Sequence, residues 1–128
     1  MRMVVVAGAF CCVLAGAAAA QIPFPTQAPP QDGHTLFLNQ CGTCHSALKG
    51  DAPRQGPNLF GVYGRKAGTF PGFKYSAGFA QADWVWDEAH LDQWLTNPQA
   101  MIPGAVMLYH QSNPKIRALI IGWLKEQH

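Results

Sequence analysis

The sequence predicts an all-α domain of three to four helices joined by long loops, on three observations. A continuous apolar stripe at helical spacing occupies the C-terminal segment. Helix-capping residues stand at the start of the first, central and last helical patterns. No segment carries a convincing strand pattern.

The elements follow in order. Asp32 can cap a helix running from Gly33 to about Cys44, with Gly33, Phe37 and Cys41 on one face at four-residue spacing. A short helical turn is expected over Ser76 to Gln81. A further helix starts after Asp87, turns Leu91, Trp94 and Leu95 inward, and ends before Pro98. In the last, Asn113 caps, Pro114 takes the first helical position, and the helix runs to about Gln127. Its stripe is Ile116, Leu119, Ile120, Trp123 and Leu124. Gly- and Pro-rich loops fill Gly50 to Gly72 and Pro98 to Asn113. There is no internal repeat.

The N-terminus is expected to be a secretory signal peptide over residues 1–20. Arg2 is followed by an apolar run and then by small residues, ending in an A-x-A site at Ala18-Ala19-Ala20. Cys11 and Cys12 fall in that segment as apolar filler. The competing expectation is an uncleaved anchor, for which Met3 to Ala20 is just long enough. Cleavage leaves 108 residues, positions 21–128 of the 128. Residues 21–31 carry four prolines before Gln31 and read as a flexible leader, so the folded domain spans 32–128. The formal charge of +2 falls to +1 without Arg2. No strong basic patch marks a nucleic-acid binder.

The chemistry-bearing motif is Cys41-Gly42-Thr43-Cys44-His45. C-x-x-C-H is the pattern of covalent c-type haem attachment: two thiols at this spacing add to the two vinyl groups of one haem, and His45 meets its iron. A thioredoxin-like pair would want a βαβ pattern, and a structural zinc site four Cys/His ligands. A disulfide between Cys41 and Cys44 would leave His45 unexplained. A haem would also thicken the otherwise thin core. Candidates for a second iron ligand are Met101, Met107, His34, His90, His110 and His128. Met107 follows the stiff Pro103-Gly104 turn, Met101 reads as core, and His110 is the nearest competitor.

The motifs CGTCH (41–45), GPNLFGVYGRKAG (56–68), PGFKYS (71–76), WLTNP (94–98), IPGAVM (102–107) and RALIIGWLK (117–125) together resemble class I cytochromes c, the mitochondrial type and its bacterial periplasmic relatives. The likeness runs from about Gly33 to Lys125 with order and spacing kept. It implies the class I cytochrome c fold wrapped around one covalent haem, thioethers at Cys41 and Cys44, and His45 and Met107 as axial ligands. It implies that the Pro57 carbonyl accepts the His45 N–H, that Arg65, Tyr75 and Trp86 bond the haem propionates, and that Gly33, Phe37 and Trp123 form a crossing of the terminal helices. The implied function is a soluble one-electron carrier in the periplasm, monomeric, serving partners such as a cytochrome bc complex, a terminal oxidase or a periplasmic dehydrogenase, and not an enzyme. The rivals are a membrane-tethered carrier and a haem peroxidase or gas-binding protein with a labile Met107.

The chain departs from that pattern in two respects. Gln40, Gln99 and Val106 stand where the mitochondrial type carries lysines, and no Lys or Arg lies between Lys74 and Lys115. Weak electrostatic steering is expected. Phe79, Trp94 and Ala105 replace more polar family residues, which implies a drier pocket.

Overall fold

The computed structural model describes residues 31–128. The expected signal peptide, and the expected leader apart from Gln31, lie outside the described residues. Four α-helices follow in order: α1 (Gly33–Gln40), α2 (Glu88–Thr96), α3 (Pro98–Met101) and α4 (Pro114–Lys125). A 3₁₀ helix at Ala77–Gln81 precedes α2. Among the described residues there is no strand, only a lone antiparallel bridge between Lys66 and Val85.

Each helix begins where its cap stands. The Asp32 carboxylate accepts from the Thr35 amide at 2.8 Å, Asp87 from the His90 amide at 2.8 Å, and Asn113 from the Lys115 amide at 3.0 Å. These side chains satisfy amides that no helical carbonyl can reach. α3 falls within the expected loop 98–113. Asn97 closes α2 and caps α3, accepting from the Ala100 amide at 3.1 Å, and Pro98 sits at the first helical position.

α1 is shorter than expected, stopping at Gln40 instead of reaching Cys44. The Phe37 carbonyl accepts from both Cys41 and Gly42, which breaks the four-residue ladder. Gly42 and Thr43 are poor helix formers. The chain turns, and the Cys41 carbonyl accepts from Cys44 and His45 at 3.0 and 2.9 Å.

The α1–α4 crossing joins the two ends of the domain. A Cβ on Gly33 would strike the Leu119 carbonyl oxygen and lie 2.7 Å from the Trp123 Cβ. Only glycine permits this approach. The Phe37 ring packs on Trp123 with centroids 4.6 Å apart, and His34 stacks on the same indole at 5.0 Å. The expected stripe of α4 is rotated. Leu119 is 43% exposed, whereas Arg117, Ile120, Ile121 and Leu124 are buried. The reason is that α4 packs against two helices. Its Leu119 backbone faces Gly33, while Arg117 turns to α2 and donates to Asp92 at 2.7 and 3.2 Å. Two elements packed on one helix bury a wider face than a single stripe describes.

The long loop 50–72 is ordered by polar groups. Asn58, 2% exposed, donates to the Leu48 and Asp51 carbonyls and accepts from the Phe60 amide. All its hydrogen-bonding groups are used, so its burial is tolerated.

Gly33→Val is expected to destabilise by about 1–3 kcal/mol, because its side chain forces the crossing apart. Gly122, mid-helix with open space at its Cβ position, offers the opposite case: Gly122→Ala should stabilise by about 0.5–1 kcal/mol. Denaturant unfolding of both checks this pair. Hydrogen bonds from His90 hold the Asp87 carboxyl below its usual range. A carboxyl depressed in the folded state contributes stability above its unfolded pKa and loses it as pH falls through the folded value. Asp87→Asn should therefore flatten the fall in melting temperature between about pH 5 and pH 2.

Candidate functional site

α1, α2, α4 and the loops between them enclose one cavity of about 540 Å³. Cys41, Cys44 and His45 enter from the turn after α1. Gly56, Pro57 and Arg65 come from the first long loop, Tyr75, Ser76 and Phe79 from the 3₁₀ helix and the residues just before it, and Met107 from the segment between α3 and α4. Leu91, Trp94, Leu95, Ile120 and Leu124 supply an apolar floor.

The attachment turn follows from α1 ending at Gln40. Cys41 is buried and Cys44 half-buried, and the two thiols are not bonded to each other. Burial pushes the Cys41 thiol up to about 11, with the neighbouring Cys44 acting in the same direction. A thiol–disulfide exchanger needs a lowered thiol pKa, the opposite of the direction at Cys41. Among the described residues no three His, Cys, Asp or Glu side chains converge to hold a bare metal ion.

His45 Nδ1 lies 2.8 Å from the Pro57 carbonyl oxygen, a bond in which the protonated Nδ1 donates. That fixes the tautomer and leaves Nε2 with its lone pair free to bind a metal. Burial holds His45 below the usual imidazole range, which the Pro57 bond partly opposes. Gly56 makes room for the ring: a Cβ there would collide with imidazole Cε1. Of the candidates for a second ligand, Met107 lines the cavity, and Met101, His34, His90, His110 and His128 do not. Met101 packs against the core. His34, His110 and His128 are exposed, and His90 stacks flat on Trp84 beside Asp87.

Arg65, Tyr75 and Trp86 line the cavity together. Arg65 donates to the Phe60 and Asn58 carbonyls at 3.0 and 3.1 Å and lies over the Phe70 ring. Burial lowers its pKa, with Tyr75 opposing. The Tyr75 hydroxyl accepts from the Phe70 amide at 3.2 Å, and Trp86 is 7% exposed. Beside them the structure places one polar residue that sequence reasoning missed. The Ser76 hydroxyl lines the cavity, is buried, and has no hydrogen-bond partner within the protein. Its position next to Tyr75 in the PGFKYS motif was the available signal.

The residues fit a haem. The cavity is apolar at its floor, two thiols stand on its rim, an oriented imidazole and a thioether face into it, and an orphaned hydroxyl sits with an arginine at one side. A buried unpaired hydroxyl is costly unless a ligand group meets it. Phe79, Trp94 and Ala105 also line the cavity, and Phe79 packs edge-on to Trp94 at 5.4 Å. Gly56→Ala is expected to push the His45 ring off the Pro57 carbonyl. The checks are a sharply reduced yield of haem-loaded protein and a changed His45 ring resonance.

Residues 30–126 match the family model described as Cytochrome c. Cytochrome c of Sesamum indicum is 40% identical over 104 residues, covering 78% of this chain and 94% of the relative. Cytochrome c of Ginkgo biloba is 38% identical over 105 residues, 79% of this chain and 93% of the relative. Cytochrome c of Theileria annulata is 41% identical over 98 residues, 76% of this chain and 84% of the relative. The chain belongs to the cytochrome c family: it is an electron carrier, not an enzyme, and carries covalently bound haem c with its iron.

Proposed function

We propose that this cytochrome is exported to the periplasm and moves single electrons between redox complexes there as a soluble monomer, with His45 and Met107 as the axial ligands of its haem. One observation carries the ligation: of all the candidate ligand side chains among the described residues, only His45 and Met107 share a cavity with Cys41 and Cys44. The haem supplies an iron that cycles between ferric and ferrous. The protein's part is to hold, orient and shield it.

Cys41 and Cys44 tether the macrocycle by thioethers. Pro57 holds the His45 imidazole in one orientation and strengthens it as a donor. A Met107 thioether bound to the iron would favour the ferrous state and raise the potential. Arg65, Tyr75, Trp86 and Ser76 would receive the propionates, since a buried carboxylate demands charge or hydrogen-bond partners. Leu91, Trp94, Leu95, Ile120 and Leu124 exclude water. His110 was the acid–base group a peroxidase would need; it is exposed and outside the cavity lining.

The partner surface lies at the cavity rim, where Val106 is 77% and Leu108 74% exposed beside Gln40. This edge is apolar and uncharged, which suits docking by contact more than by long-range steering. Cytochrome bc complexes, terminal oxidases and periplasmic dehydrogenases fit as partners. Export is supported by the signal-like segment 1–20. No helix among the described residues is long and apolar enough to cross a membrane.

Optical spectra of the purified holoprotein test the ligation. A low-spin reduced spectrum, a sulfur-to-iron band when oxidised and no response to carbon monoxide are expected. A high-spin spectrum or ready carbon monoxide binding would sink it. N-terminal sequencing should start at Gln21, and a retained Met1 would mean a tethered carrier. Electron-transfer rates with a purified bc complex should vary less than about threefold between 10 mM and 300 mM salt. A steep decline would contradict the apolar rim.

A further inference from the structure

We propose that Gln40 and Tyr109 form a clasp that holds Met107 over the cavity, making both positioning residues for the ligand; this rests on the ligation proposed above. The segment after α3 alternates as an extended chain does. Ala105, Met107, Tyr109 and Gln111 turn inward to varying depth, and Val106, Leu108 and His110 are exposed. Ala105 is tied back to Ile102 by its amide, and Gln111 to the Leu95 carbonyl at 2.9 Å. Between them, among the described residues, no backbone group of positions 106–110 makes a hydrogen bond within the protein. The one polar tie in that stretch is the Tyr109 hydroxyl, which donates to Gln40 Oε1 at 2.5 Å.

The same oxygen also accepts from Gln111 Nε2 at 3.0 Å. One acceptor thus fastens the segment on both sides of His110. Gln40 is the last residue of α1 and directly precedes Cys41, the first attachment cysteine. The clasp therefore registers the segment carrying Met107 against the same backbone point that anchors the haem. The far end of the segment is fixed by Arg117, which donates to the Gln111 and Ser112 carbonyls at 2.8 and 3.1 Å while paired with Asp92. A lysine at position 40 would offer no acceptor oxygen to the Tyr109 hydroxyl. The neutral amide binds inward, and the charge lost from the rim becomes rigidity of the ligand loop.

The test uses the holoprotein and three variants: Tyr109→Phe, which removes one oxygen; Gln40→Leu, which removes the acceptor; and Gln40→Glu, which keeps an acceptor oxygen. Imidazole binding to the ferric protein and the sulfur-to-iron band report how often Met107 leaves. Tyr109→Phe should bind imidazole about three- to tenfold more readily, the range that one lost hydrogen bond gives, and Gln40→Leu, which loses two, at least as readily. Gln40→Glu should stay within about twofold of the parent. Equal binding in all four proteins, or Gln40→Glu matching Gln40→Leu, overturns the clasp. A parent protein without the sulfur band overturns Met107 ligation itself, whereas a parent with the band and unchanged variants indicts the clasp alone. If Gln40→Leu does not fold, Tyr109→Phe carries the same decision.

Discussion

The rest of the structure depends on a large apolar cavity that the chain encloses without filling from its own side chains. Three of the four helices and both long loops contribute to its walls. Apolar wall of this extent is costly to leave against water, at roughly 25 cal/mol per Å², and a haem seated there would make the helices' inner faces a core. The cofactor is therefore a structural element first, and the short helices and long loops make sense only around it. Walls made of helices and tied-down loops would also leave a bound haem little freedom to reorganise when its charge changes.

Polar groups inside the fold each tie down a loop. Asn58 closes the turn that leads from His45 to Pro57. Ser46 donates to Asp51 at 2.5 Å in the same turn. Arg117 joins α2, α4 and the segment before α4 through Asp92, Gln111 and Ser112. These are the regions where no helix supplies hydrogen bonds for the backbone. Buried side chains take over that role, so the loops holding His45 and Met107 are as determined as the helices.

Much of this was legible in the sequence because the signals are local. Asp32, Asp87 and Asn113 announce their helices by capping chemistry, and C-x-x-C-H announces its cofactor by spacing. The first end of α1 was readable and the second was not, since the double acceptance at Phe37 depends on how the chain turns toward the cavity. Asn97-Pro98 carries the same start signal as Asn113-Pro114, but α3 is a single turn and leaves no periodicity to confirm it. The α4 stripe misplaced Leu119, because one-dimensional periodicity does not say how many neighbours a helix will have. Ser76 escaped notice because its one sequence signal was its place beside Tyr75, and its burial without a partner shows only in the fold. The pairing of Gln40 with Tyr109, 69 positions apart, has no sequence signature at all.

The contact between Gly33 and the Leu119–Trp123 stretch also constrains how the molecule comes into being. Its two sides are separated by nearly the whole domain, and closing a loop of about 90 residues costs roughly 4 kcal/mol of chain entropy. The crossing cannot form until α4, the last element, has been synthesised. Until then the cavity lacks Ile120 and Leu124, and the crossing that would bury Cys41 is missing. The wall of the cavity opposite Cys41 and Cys44 is thus completed last. A chain cut short before α4 would keep the attachment motif and lose the crossing that closes the domain.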